Sequence, residues 1–134
     1  MPERPRDCVE YGNAVYRRVH TVIETPTFLR DARQVGMSEA EREAMVVAVS
    51  RNPTAGDLMQ GTGGARKVRF AGRGKGKSGG YRVVTFYGAD DVPVFLLAVI
   101  SKGERANLSR AEQNALSAEL AELVSDYRAR RDRD

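Results

Sequence analysis

The 134-residue chain, 41% hydrophobic and 30% charged, has the size and composition of one globular domain able to bury a core. Its longest apolar run, residues 92–100, is too short for a membrane span, and the charged N-terminus (MPERPRDCVEYGNAVYRR) lacks the apolar centre of a secretory signal, so a cytoplasmic protein without membrane contact is expected. The net charge of +4 is unevenly spread: residues 58–89 hold seven Lys and Arg and no Asp or Glu, which leaves a net −3 for the rest. A one-signed block of this kind attracts polyanions, phosphate backbones first among them.

Residues 1–18 are poorly patterned and are expected to form an extension, either disordered or helical. HTVIE (20–24) alternates and is rich in β-branched residues, which predicts a first strand. Thr25-Pro26 then opens a short helix to about residue 35, with Phe28, Leu29 and Ala32 on one side. Ser38 and Glu41 in SEAE make a capping box for a second helix carrying Ala44, Met45, Val47, Ala48 and Val49, which stops at Asn52-Pro53. The glycine loop QGTGGARK leads into RKVRFA (66–71), whose alternation turns Val68 and Phe70 to the core and Lys67 and Arg69 together to the other face. YRVVTFY (81–87) and PVFLLAVIS (93–101) follow as two more strands.

SRAE (109–112) is a second capping box, opening a long helix whose apolar face is Ala115, Leu116, Ala118, Leu120, Leu123, Val124 and Tyr127. The charged tail, 128–134, is expected to fray. The expected fold is α+β, one domain over residues 19–127. Its small antiparallel sheet combines a three-strand C-terminal meander with an N-terminal strand; two N-terminal helices and one C-terminal helix pack on one face.

AGRGKGKSGG (71–80) approaches a phosphate-binding loop, but a strand follows where such a loop needs a helix N-terminus, so no nucleotide cofactor is expected. His20 is the sole histidine and Cys8 the sole cysteine, which removes the zinc and histidine-pair arrangements and leaves no expected metal. What remains is a basic face: Lys67 and Arg69 from one strand, Arg82 from the next, Lys102 after the third, with Lys75 and Lys77 on its border.

QGTGGARKVRFAGRGKGKSGGYRVVTFY, then FLLAVISKGE and a final capped helix, together resemble the HigB branch of the RelE toxin superfamily over residues 20–124. The resemblance implies a RelE-like fold, similar to microbial ribonucleases but without their Glu and His catalytic pair. It implies a type II toxin, a metal-independent endoribonuclease that cleaves messenger RNA in the ribosomal A site and is neutralised by a cognate antitoxin. That antitoxin would be a HigA-like helix-turn-helix protein through which the pair binds operator DNA. Cleavage of this type uses the 2′-hydroxyl as nucleophile and needs a base, cations for the phosphorane charge and an acid for the leaving oxygen.

On the family pattern Lys67 serves as the base, Arg69 and Arg82 stabilise charge and Lys102 assists. Arg66, Arg73, Lys75, Lys77, Tyr87 and Arg105 are the expected RNA- or ribosome-binding residues, Tyr87 either as a stacking surface or as core. Gly103 stands where the best-known members have an arginine, and Ser109, near the place of their catalytic tyrosine, is committed to capping. The competing expectation is a basic module that binds RNA or DNA without cleaving it, or a degenerate toxin kept as a co-repressor partner.

Overall fold

The computed structural model describes residues 8–11, 14–17, 19–71, 80–100 and 108–133, the first two segments as backbone only. Strands β1 (Cys8–Tyr11) and β2 (Ala14–Arg17) pair antiparallel as a separate two-stranded unit. The N-terminal extension, expected to be disordered or helical, therefore contains strand instead. Cys8-Val9 and Val15-Tyr16 supply the β-branched and aromatic residues that favour it.

A five-stranded sheet follows, in the order β3-β7-β6-β5-β4. Its strands are β3 (Val22–Glu24), β4 (Asp57–Leu58), β5 (Ala65–Phe70), β6 (Tyr81–Phe86) and β7 (Val94–Ile100). β5, β6 and β7 form the expected antiparallel meander. The sheet as a whole is mixed and not antiparallel, because β3 lies parallel to β7, joined to it by a chain path long enough to cross over. The two-residue edge strand β4 is an addition that its length made invisible to periodicity.

Two helices lie between β3 and β4: α1 (Pro26–Gln34) and α2 (Glu39–Arg51). Thr25 caps α1, its hydroxyl accepting from the Phe28 amide at 3.2 Å and donating to the Leu96 carbonyl at 2.8 Å, which fastens the helix start to β7. Farther along α1, Asp31 accepts from the Val99 amide at 3.2 Å, beyond the end of the β3 pairing. The Ser38–Glu41 capping box is reciprocal, with bonds of 3.1 and 2.9 Å. Phe28, Ala32, Met45 and Val49 from these helices pack on Tyr81, Val83, Val94, Leu96 and Val99. Ala44, Val47 and Ala48 remain exposed on α2.

The third helix, α3 (Arg110–Arg133), covers the other face of the sheet. Leu120, with Leu116, Leu123, Val124 and Tyr127 beside it, packs on Ala65, Val84, Phe86 and Phe95. Val83 and Val84 are neighbours in one strand yet belong to opposite cores, as the pleat requires. The expectation of helices on one face is thus corrected to a sheet covered on both. Ala115 and Ala118, expected on the buried stripe, are exposed.

The Ser109–Glu112 capping box starts α3 with bonds of 3.2 and 2.9 Å. The tail expected to fray continues as helix to Arg133. Arg128 grips the Asp91 carboxylate bidentately at 2.9 and 2.7 Å, and Arg131 donates to the same carboxylate at 3.1 Å and to the Asp91 carbonyl at 2.9 Å. Those bonds tie the end of the helix to the β6–β7 turn. They also hold the Asp91 carboxyl well below the usual carboxylate range, the Arg128 hydrogen bonds being the larger cause and those of Arg131 the next.

One irregularity shapes β7. Val84 pairs with Ala98 and Thr85 with Leu96, so Leu97 is an extra residue, a β-bulge. Leu97 and Ala98 consequently pack on the same core, the one beneath α3.

Candidate nucleic-acid interface

Register puts the basic residues where alternation predicted. Lys67 and Arg69 share a face of β5, and Arg69 pairs directly with Arg82 of β6, which in turn pairs with Ile100 of β7. This is the α3 side of the sheet, as Ala65, Val84 and Ile100 on the same face demonstrate. Lys67, Arg69 and Arg82 line a cleft of about 430 Å³ with Gly56, Asp57 and Val68.

Two glycines permit this geometry. Gly56 has φ of +90°, and a Cβ there would collide with the Lys67 carbonyl oxygen and lie 2.8 Å from Val68 Cγ2. Only glycine lets β4 approach β5 at that rung. At Gly80 a Cβ would sit 2.6 Å from the Phe70 carbonyl oxygen, so the absence of a side chain lets β6 start hard against the end of β5.

The other expected contact residues separate into three groups. Arg66 lies on the opposite face of β5, paired with buried Thr85, and its guanidinium donates to the Gly56 carbonyl at 3.2 Å. Tyr87 is also remote from the cleft: it packs against the α1/α2 core, its ring meets His20 edge-on at 5.2 Å, and its hydroxyl donates to Asp90 at 2.9 Å. Of the two expectations for Tyr87, the packing one fits this position. Arg73, Lys75, Lys77, Lys102 and Arg105 lie outside the described residues.

Asp57 was not singled out by the sequence, yet it lies directly across the β4–β5 ladder from Lys67. The signal available was its isolation, since it is the sole carboxylate between Glu43 and Asp90.

A larger cavity, about 690 Å³, lies on the same sheet face between β7 and α3. Its described lining is mainly apolar and its charged residues are Glu112 and Glu119, so it offers nothing to a phosphate. Among the described residues no three His, Cys, Asp or Glu side chains gather as metal ligands would, and no helix is long and apolar enough to cross a membrane.

Three cationic side chains thus line one cleft of a small α+β domain, an arrangement of one-signed charge that attracts anions. Residues 20–131 match the family described as the RelE toxin of the RelE/RelB toxin–antitoxin system, and the chain belongs to that family. It is accordingly the toxin of a toxin–antitoxin pair, with an antitoxin as partner. Among solved structures, a mutant of the E. coli toxin RelE in the free state is similar to it at 20% identity, covering 75% of this chain and 96% of that one with a TM-score of 0.49.

Proposed function

We propose that this toxin is a HigB-like, ribosome-dependent endoribonuclease that cuts messenger RNA in the ribosomal A site and so stops translation. The observation that carries the proposal is the adjacency of Lys67, Arg69 and Arg82 in one cleft. Phosphoryl transfer from a 2′-hydroxyl passes through a phosphorane carrying extra negative charge, and preorganised cations stabilise that charge more than the ground state. Arg82, next to Arg69, is suited to hold the scissile phosphate between two guanidinium groups. Lys67 lies two residues along β5 on the same face as a third donor. Lys102 follows β7 in sequence, and Lys75 and Lys77 lie between β5 and β6 in sequence; these complete the proposed contact set with Arg73 and Arg105.

The protein acts in the cytoplasm, where ribosomes are, and is held inactive by a helix-turn-helix antitoxin of the HigA kind, through which the pair binds operator DNA. The chemistry is transphosphorylation, leaving a cyclic phosphate and a free 5′-hydroxyl, without a metal.

The test is induction in a bacterial host of the wild type and of Lys67→Ala, Arg69→Ala and Arg82→Ala. Growth arrest with codon-phased breaks in messenger RNA, lost in the variants, is the expected result. Absence of breaks with the wild type would leave a basic binding module in place of a nuclease.

A further inference from the structure

The cleft is lined by three cationic donors and one anionic acceptor. A guanidinium and an ammonium donate and accept nothing, whereas a carboxylate only accepts. Among the described residues lining the cleft, the sole carboxylate is that of Asp57. It is exposed to solvent and paired by register with Lys67, two residues along β5 from the Arg69–Arg82 pair.

The fold fixes the backbone of this residue closely. The glycine before it takes a left-handed conformation and abuts the Lys67 carbonyl, and Arg66 donates to that glycine's carbonyl from the opposite face. β4 is two residues long, and Asp57 is the one of the two on the cleft side. A carboxylate here repels the phosphate that its neighbours attract, so its placement works against simple RNA binding. It suits a group that must take a proton beside that phosphate.

We propose that Asp57 is the general base of the cleavage reaction, with Lys67 acting as a cation and proton donor. This rests on the nuclease reading above and deepens it. The Asp57 carboxylate takes the proton of the ribose 2′-hydroxyl as the 2′-oxygen bonds to phosphorus. The bond from phosphorus to the 5′-oxygen breaks, and that oxygen takes a proton from the Lys67 ammonium. The products are a 2′,3′-cyclic phosphate and a 5′-hydroxyl. Asp57 then releases its proton to water and Lys67 regains one from water, which restores both groups.

Single-turnover cleavage of messenger RNA on ribosomal complexes with an empty A site tests this, using the full chain with Asp57→Asn and Lys67→Arg. Asp57→Asn is expected to cleave at least about a hundredfold more slowly. It should bind the same complexes as tightly as wild type or more tightly, since a repulsive charge is gone. Lys67→Arg keeps the charge but gives up its proton far less readily, and should slow cleavage by about a hundredfold, one acid–base contribution, with no gain in binding.

Normal cleavage by either variant, or weaker binding by Asp57→Asn than by wild type, overturns the assignment while the nuclease reading stands. A wild type that binds ribosomal complexes but never cleaves them overturns both. Retained antitoxin binding by each variant shows that a lost activity is not a lost fold.

Discussion

Arg69 and Arg82 stand directly opposite each other on adjacent antiparallel strands, two like charges on one face of the sheet. Like charges so placed work against the sheet by up to about 1 kcal/mol, with Cβ atoms about 5 Å apart. An anion bound between them, as the proposed function requires, would relieve that repulsion. Arg69→Gln is therefore expected to stabilise the isolated toxin by a few tenths of a kcal/mol to about 1 kcal/mol in urea unfolding while lowering its affinity for RNA. A variant equally stable or weaker would mean that the two charges are already compensated.

Salt should report the same contact. Each cation removed from a single-strand phosphate contact lowers the slope of log affinity against log salt by about 0.7. Arg82→Ala should change that slope by about this amount, whereas Arg66→Ala, on the other side of β5, should leave the slope close to that of the wild type. Titrations of a short single-stranded RNA across a salt series measure both.

The clamp of Arg128 and Arg131 on Asp91 makes a pH-dependent contribution to stability. The folded state holds the Asp91 carboxyl below its unfolded value, so it binds fewer protons there than the unfolded chain does. The contribution is fully present above the unfolded carboxylate value of about 4 and is lost as pH falls below it toward the folded value. The Tm gap between wild type and Asp91→Asn should be constant from about pH 5 upward and should close on acidification.

Gly56→Ala is expected to destabilise the domain by more than about 1 kcal/mol, because it combines a left-handed backbone with a collision against the next strand. Cleavage should fall further than stability alone explains, since Asp57 moves with it. Denaturant melts beside initial rates separate the two effects.

Phe28 is fully buried between α1 and the sheet, and Phe28→Ala should cost about 3–5 kcal/mol in denaturant unfolding. A smaller loss would indicate that α1 collapses onto β7 to fill the space.

The facing of the basic residues was more legible than the layers around them. Alternation in RKVRFA sets the phase of Lys67 and Arg69 locally, so the sequence carried their facing without knowledge of any partner. The same alternation puts Arg66 on the reverse side, a signal the charge count overlooked. By contrast, the parallel pairing of β3 with β7 joins residues some seventy positions apart, and nothing local announces it. The amphipathic pattern of α3 shows that it has a buried stripe but not which sheet face receives it. The cue was in the strands: Val83 beside Val84, and the unbroken apolar run of β7, mark strands buried on both sides. Asp57 escaped because a single acid next to a basic block reads as the block's boundary and not as a member of it.

Leu97 gives the sheet an adjustable angle. Remove it, and residues 94–96 would join 98–100 in an unbroken ladder with each of them facing the core it faces now. What would disappear is the extra local twist that a bulge adds. The pairs that follow it, Val84 with Ala98, Val83 with Val99 and Arg82 with Ile100, would then continue the ladder without that twist. Leu97 is in this sense a shim in the sheet: dispensable to the register, yet the source of the extra twist in the strand that flanks Arg82.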